Sequence, residues 1–224
     1  MTKVINIAVD GPSGSGKSTL AKNIAKHYGI IYIDTGALYR TIGFWIKCNG
    51  FESTDIKNIV ASLKNIKIEM KFSETVDVFL NGKKVGDEIR TPIASFYASN
   101  VSKIPEVRAF LLDLQRDIAR ANNCVMDGRD IGTVILPNAD VKIFLCASDN
   151  DRAERRYSEL LLKGEKVTFD DVKNDMSWRD DNDKNRKIAP AIKANDAILI
   201  DNSGFSADQT LKMAIEIIDK TVKI

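Results

Sequence analysis

The chain has one histidine, His27, and three cysteines, Cys48, Cys124 and Cys146, among 224 residues. With His27 as its one histidine, the chain is not expected to carry a His-based catalytic triad. The cysteines are odd in number and widely spaced, and no pair has the spacing of zinc ligands, so no structural zinc site is expected. Their apolar surroundings predict three buried thiols in a reducing cytoplasm. No apolar run approaches the roughly 20 residues needed to cross a bilayer, so no membrane role is expected. The first strand opens at about residue 4, which leaves no space for a signal peptide. An excess of one charge is also missing. Lys and Arg number 33 and Asp and Glu 31, for a net charge of +2, which gives no support for general nucleic-acid binding. Repeats, low-complexity tracts and long linkers are absent. A chain of this length with 44% hydrophobic residues suits one compact domain carrying a small insertion. No long exposed apolar stripe is evident, so a monomer is expected.

What is present is a glycine-rich stretch in one telling context. Gly11-Pro12-Ser13-Gly14-Ser15-Gly16-Lys17-Ser18 fits G-x-x-x-x-G-K-[ST], a phosphate-binding loop. An apolar run, Val4 to Val9, precedes it and reads as a buried strand. Thr19 to His27 follows and reads as a helix with Leu20, Ile24 and Ala25 on one face. Glycines let such a loop curl with its N–H groups inward, and the helix N-terminus behind it favours an anion. Lys17 is placed to reach the β- and γ-phosphates of a nucleoside triphosphate, and the Ser18 hydroxyl to hold Mg²⁺. Thr19 belongs to the same triphosphate site.

Ile30 to Ile33 reads as a second strand running into Asp34-Thr35-Gly36-Ala37-Leu38-Tyr39-Arg40 and a helix that Asn49-Gly50 closes. Asp34 and Thr35 act either as a helix cap alone or as part of a second anion site at the carboxyl edge of a parallel sheet. Residues 54–63 form a short helix. Two-residue alternation at Ile66, Ile68, Met70 and Phe72, then at Val76, Val78 and Leu80, broken by Asn81-Gly82, predicts a small antiparallel sheet at about 65–86. Helical pattern resumes near Pro92 and again from Pro105 to Ala121. Cys124–Met126 is a strand ending in Asp127-Gly128-Arg129-Asp130, and Val141–Leu145 is another, both read as apolar throughout and covered on both faces. A helix at 149–163 carries Arg152, Arg155 and Arg156, a spacing that also describes an ordinary solvated face. Thr168 and Asp171 form a capping box for a helix expected to hold Arg179, Asp183 and Arg186 on one face. A last strand, Ala197–Ile200, and a last helix, Ser206–Val222, complete five strands in α/β order. The fold class expected is a doubly wound five-stranded parallel sheet with helices on both faces, plus a small antiparallel β insertion and a short helical lid.

A phosphate loop alone admits a switch, a motor or a small-molecule kinase. A GTPase needs N-K-x-D, which is absent. Asp201-Asn202-Ser203-Gly204 matches D-x-x-G only after the last strand, where it cannot reach a γ-phosphate. A motor would be larger, so a small kinase remains. At this point the chain resembles the bacterial cytidylate kinases. The blocks that carry the likeness are Asp10–Ser18, Asp34–Arg40, Gly86-Asp87-Glu88-Ile89-Arg90, Asp127–Val134 and Arg179–Arg186, in order and with similar spacing over about residues 4–215. The resemblance implies ATP-dependent, Mg²⁺-dependent phosphoryl transfer to CMP or dCMP. It also implies a core at about 1–60, 105–150 and 195–224, a monophosphate-binding region at about 35–104 and a lid at about 150–190.

The roles follow from the same likeness. Gly11 to Thr19 and Arg155 would bind ATP. Ser13, Asp34, Thr35, Tyr39, Arg40 and Arg129 would surround the CMP phosphate and sugar, with Arg179, Asp183 and Arg186 on sugar and phosphates. Ser99, Arg108 and Asp130 would read cytosine. The chemistry is consistent: a carboxylate accepts from cytosine N4, and Ser99 and Arg108 donate to N3 and O2. Lys17, Arg129, Arg152, Arg156 and Arg179 would neutralise charge on the transferring group. Asp127 either orients the water shell of Mg²⁺ or only caps its turn. Thr35 stands where serine is also common in the family, and Trp178 has no evident role. The alternatives are a kinase of a hydroxyl-bearing metabolite such as shikimate, with Asp34 or Asp130 as base, and a non-catalytic nucleotide-binding regulator.

Overall fold

A computed structural model describes residues 3–72 and 76–223. The chain divides into two compact units, one of Met1–Tyr32 with Ala121–Ile224 and one of Ile33–Arg120.

In the first unit, β1 (Asn6–Asp10) is buried from Ile7 onward because it pairs in parallel on both sides, with β6 (Cys124–Gly128) and β7 (Val141–Cys146). The strand order is β2-β6-β1-β7-β8, with β2 (Ile31–Asp34) and β8 (Ile198–Asp201) at the edges. The register sets Asp10 opposite Gly128. The loop after β1 and the turn after β6 therefore leave the sheet side by side at its carboxyl edge, where α/β sheets bind ligands. Helices α1 (Lys17–Tyr28) and α8 (Ala207–Thr221) close one core, in which Leu20 and Ile24 meet Ile143, Leu145, Ile200 and Ile218. Gly29, at φ 65°, ends α1 in the left-handed conformation that favours glycine. The expected late cap is present, and the last helix carries a second one. Thr168 and Asp171 form the box that opens α7 (Phe169–Lys184), and Ser206 with Gln209 opens α8. Helix α6 (Asp149–Leu162) packs on α7 through Leu160, Val172 and Met176.

In the second unit, α2 (Thr35–Cys48), α3 (Ile56–Ser62), α4 (Pro92–Val101) and α5 (Pro105–Ala121) enclose a core of Leu38, Ile42, Ile59, Val101, Val107 and Leu111. Gly43 permits the α2–α4 contact: a Cβ there would lie 2.8 Å from Tyr97 Cβ. The small sheet forms as its alternation predicts. β3 (Ile68–Phe72) pairs antiparallel with β4 (Val76–Leu80), and β4 with β5 (Lys83–Lys84). Asn81 and Gly82 both take positive φ, 49° and 80°, as a tight hairpin requires. Residues 73–75, within the predicted sheet, lie outside the described residues.

Three expectations need correction. Helix α7 stops at Lys184, so Arg186 lies beyond it and does not share a helical face with Arg179 and Asp183. Only Cys124 is buried; Cys48 is exposed at the end of α2 and Cys146 is half-buried at a strand end. β7 is not apolar throughout. It buries Lys142, whose ammonium reaches the rim to meet Asp196 at 2.7 Å and the Pro137 carbonyl at 2.6 Å.

Candidate active site

The phosphate loop is shaped by glycines that nothing else could replace. A Cβ on Gly11 would lie 2.1 Å from the Leu145 carbonyl, and one on Gly14 would lie 2.9 Å from the Arg152 carbonyl. Gly14 and Gly16 also sit at φ 69° and 89°. Lys17, at the start of α1, is buried and donates to the Pro12 carbonyl at 3.0 Å. Burial, then the nearby Arg129 charge, pull Lys17 down to about 7, against the opposing pull of Asp127 and Asp180. The Ser15 hydroxyl is fully buried and has no hydrogen-bond partner. A cradle that accepts no Cβ, an ammonium whose charge is poorly supported and an orphaned buried hydroxyl together fit a polyphosphate.

Beside the loop, Ser18 donates to Asp127 Oδ2 at 2.6 Å, and the Tyr32 hydroxyl donates to Asp127 Oδ1 at 2.9 Å. Hydroxyl and carboxylate oxygens are the hard donors Mg²⁺ prefers. Among the described residues no cluster of three or more His, Cys, Asp and Glu stands ready for a metal ion. That suits an ion held partly by nucleotide phosphates and not by an all-protein cage.

The arginines of α6 and α7 are sorted by what they touch. Arg152 is buried and donates to the Ser13 carbonyl at 2.7 Å and to Asp149 at 2.6 Å, and it also pairs with Asp180. Arg155 reaches the loop after β8, donating to the Asn202 side chain at 3.1 Å and its carbonyl at 2.9 Å. The Asn202 amide in turn donates to the Ser15 carbonyl at 3.1 Å. A cavity of about 120 Å³ opens there, lined by Gly16, Thr19, Arg155, Asn202 and Phe205 among others. Arg156 pairs with Glu159 at 2.8 Å. Arg179 is held below its usual range by burial and then by the Arg129 charge, and its nearest carboxylate is Asp175 at 3.8 Å. Its charge is thus poorly compensated, as an anion site requires.

The turn after β6 is gathered in the same unit. Arg129 donates to Asp183 at 2.9 Å, and Arg186 donates to the buried Asp130 at 3.1 Å while lying 3.9 Å from Asp183. Asp10, at the end of β1, accepts from the backbone N–H groups of Ile131 and Gly132 at 2.8 and 2.7 Å. Those bonds hold a wide turn at Ile131–Ile135, in which the Ile135 N–H reaches back to the Asp130 carbonyl at 3.1 Å. Burial raises Asp10 to about 6 despite the two N–H donors.

In the second unit, Asp34 caps α2 by accepting from the Ala37 N–H at 2.9 Å and pairs with Arg40 at 2.7 Å. Burial alone would raise its carboxyl, but Arg40, the Ala37 N–H and Arg90 hold it below the usual range. Thr35, Tyr39 and Ser99 are buried in the same unit, and Arg108 lies over the Tyr39 ring at 5.7 Å.

The profile of the cytidylate kinase family matches residues 7–220. This chain belongs to the cytidylate kinase family. Proteins named cytidylate kinase from Thermosipho melanesiensis and Fervidobacterium nodosum are each 47% identical to it, over 97% of this chain and 98% of theirs. One from Caldicellulosiruptor bescii is 45% identical over 99% of this chain and 98% of its own length. Among solved structures, an uncharacterized protein from Eubacterium ventriosum superposes with a TM-score of 0.55 at 19% identity, covering 97% of this chain and 99% of that one. TT1252 from Thermus thermophilus does so at 0.50 and 14%, covering all of both chains. These two likenesses speak for the fold alone. In this cytidylate kinase family member, Asp10, Tyr32, Asp180 and Asn202 join the site without a role that the sequence pattern predicts. Asp10 lies in the Asp10–Ser18 block and Asp180 in the Arg179–Arg186 block, but only the fold shows what they touch.

Proposed function

We propose that this cytidylate kinase family member transfers the γ-phosphoryl group of ATP to CMP or dCMP, giving ADP and CDP or dCDP. The observation that carries the reading is one sheet edge where the phosphate loop lies beside a turn holding a buried carboxylate, Asp130, among Arg129 and Arg186. A triphosphate donor suits the first and a charged nucleotide acceptor the second.

The loop from Gly11 to Thr19 binds the triphosphate, with Lys17 on its β- and γ-phosphates and Arg155 beside the cavity that flanks α1. Mg²⁺, when bound, would offset the charge on the phosphates. Ser18 would hold it directly and Asp127 through water. In the first unit, Ser13, Arg129, Arg179, Asp183 and Arg186 are assigned to the acceptor phosphate and sugar, and Asp130 to cytosine N4. In the second, Asp34, Thr35, Tyr39 and Arg40 are assigned to phosphate and sugar, and Ser99 and Arg108 to cytosine N3 and O2. Uracil reverses the donor and acceptor at positions 3 and 4, so it would leave buried groups unpaired. The acceptor oxygen is already anionic, so no general base is required. Catalysis rests on placing two phosphates in line and neutralising them with Lys17, Arg129, Arg152, Arg156 and Arg179. The region at about 150–190 would act as the lid that excludes water. Among the described residues no helix is long and apolar enough to cross a membrane. The reading places a monomer in the cytoplasm.

An ADP-release assay with ATP and Mg²⁺ against CMP, dCMP, UMP, AMP, GMP and shikimate tests it. Turnover with CMP and dCMP far above the rest is expected. Turnover of shikimate alone, or ATP binding with no transfer to any acceptor, would overturn the reading.

A further inference from the structure

Asp180 stands between Arg179 and Asp183 in sequence and has no assigned part. In the fold it is the link between α7 and the crest of the phosphate loop. Its Oδ1 accepts from the Ser13 N–H at 2.8 Å, and its Oδ2 accepts from Arg152. The same Arg152 nitrogen donates to the Ser13 carbonyl at 2.7 Å, and the other terminal nitrogen is anchored on Asp149. Ser13 is thus gripped at both backbone polar groups, its N–H by a carboxylate of α7 and its carbonyl by a guanidinium of α6, and the two gripping groups are paired to each other. The next residue is pressed into the same notch. A Cβ on Gly14 would meet Met176 Cε at 2.6 Å and the Arg152 carbonyl at 2.9 Å, and Met176 lies one helical turn before Asp180.

We propose that Asp180 is a positioning residue for phosphoryl transfer, which fixes the Ser13 backbone and the Arg152 guanidinium as one unit. It touches neither nucleotide. It acts by setting where the crest of the loop and the nearest lid arginine stand when the reacting oxygens are brought together. A displacement of about 1 Å in such groups is enough to slow a transfer on the order of 100-fold. Its hydrogen bonds go to Ser13 and Arg152, and toward Lys17 it contributes only charge, less than Asp127 does, so ATP affinity should change far less than the rate of transfer. The inference rests on the phosphoryl-transfer reading above, and one of its measurements does not.

The test uses the full chain with Asp180→Ala and Asp180→Asn. In D180A, kcat should fall on the order of 100-fold with the dissociation constant of ATP, from calorimetry, unchanged within about threefold. D180N keeps an oxygen for the Ser13 N–H but gives up the charge on Arg152, so its loss should be smaller, and it serves if D180A folds poorly. R152A with D180A should be scarcely slower than R152A alone, because residues acting as one unit are not additive. Amide hydrogen exchange over residues 11–18 gives a readout free of any acceptor. D180A should lose protection at Ser13 while Gly16 to Ser18 keep theirs. Unchanged exchange at Ser13 would overturn the proposal whatever the substrate. So would a D180A kcat within about threefold of the parent, or a fall in kcat matched by an equal fall in ATP affinity. A parent that turns over no nucleoside monophosphate would instead overturn the functional reading, and the exchange experiment would still decide the role of Asp180.

Discussion

Arg186 donates to Asp130 at 3.1 Å, and both side chains are buried. The desolvation of such a pair roughly offsets its attraction, so it is better read as a device for specificity than for stability. Breaking it is another matter. In Asp130→Ala, Arg186 keeps Asp183 at 3.9 Å and the Ala189 carbonyl but loses its nearest carboxylate. We expect a loss of about 2–3 kcal/mol, at the low end for a broken buried pair, and a fall in Tm of roughly 5–10 °C. Asp130→Asn keeps an acceptor for Arg186 and should lose only about 1 kcal/mol. It should still reduce kcat/KM for CMP by roughly 10- to 100-fold, the worth of one base contact. Thermal unfolding and CMP-against-UMP kinetics check both. An unchanged CMP preference in D130N would remove Asp130 from base reading.

Lys17→Met should abolish ATP binding and raise the melting temperature of the ligand-free protein. Lys17 is pulled down to about 7 from 10.5, so the folded state disfavours its charge. The sign follows from linkage. Below about 7 both states carry the proton and the penalty is full; between about 7 and 10.5 the unfolded chain binds more protons, so the parent gains stability as pH rises. The advantage of methionine, on the order of 1–3 kcal/mol, should therefore be largest at pH 6 and shrink toward pH 10. Melting curves across that range check it, and a constant offset would mean that Lys17 carries no such penalty.

Asp10→Asn tests the anchor of the turn that carries Arg129 and Asp130. Asp10 is raised to about 6 from 3.8 by burial, so the parent loses stability from this group as pH rises through that window. Asparagine does not titrate, and it offers only one oxygen to two N–H donors. The variant should be destabilised by about 1–2 kcal/mol at pH 4, with the gap from the parent narrowing between pH 4 and 6. Unfolding midpoints at pH 4, 5 and 6.5 give the slope. A gap that widened across the window would contradict the burial of a charged carboxylate at this site.

The elements that were legible from sequence are those with a short-range cause. The phosphate loop, the Asn81-Gly82 hairpin and the capping box at Thr168 each depend on a few neighbouring residues whose backbone preferences agree. The buried strands showed as apolar runs, apart from Lys142, whose aliphatic stem satisfies the core while its charge escapes to Asp196. Contacts between distant segments were not legible. Nothing near Asp180 in the chain predicts the Ser13 N–H, 167 positions away, and nothing near Tyr32 predicts Asp127, 95 positions on. The reach of α7 also escaped the pattern, because Arg186 keeps helical spacing from Arg179 after the helix has ended at Lys184.

Asn202→Ala separates the donor side of the site from the transfer step. Asn202 is buried and joins Arg155 to the Ser15 carbonyl. Truncation leaves that carbonyl without its amide donor and frees Arg155 beside the cavity of about 120 Å³. Each lost hydrogen bond is worth about 1 kcal/mol, and two shared between Arg155 and the loop suggest a rise in KM for ATP of roughly 10-fold. KM for the acceptor should not change, and kcat should fall by no more than about threefold, because the Asn202 side chain bonds Arg155 and Ser15 and not Ser13, Arg152 or Asp130. Loss at Asp180 should do the reverse, slowing transfer while ATP still binds. Steady-state kinetics with each substrate varied in turn distinguish the two. If N202A and D180A moved the same constant, the loop after β8 and the α6–α7 notch would be serving one step, and the assignment of Arg155 to ATP would fall.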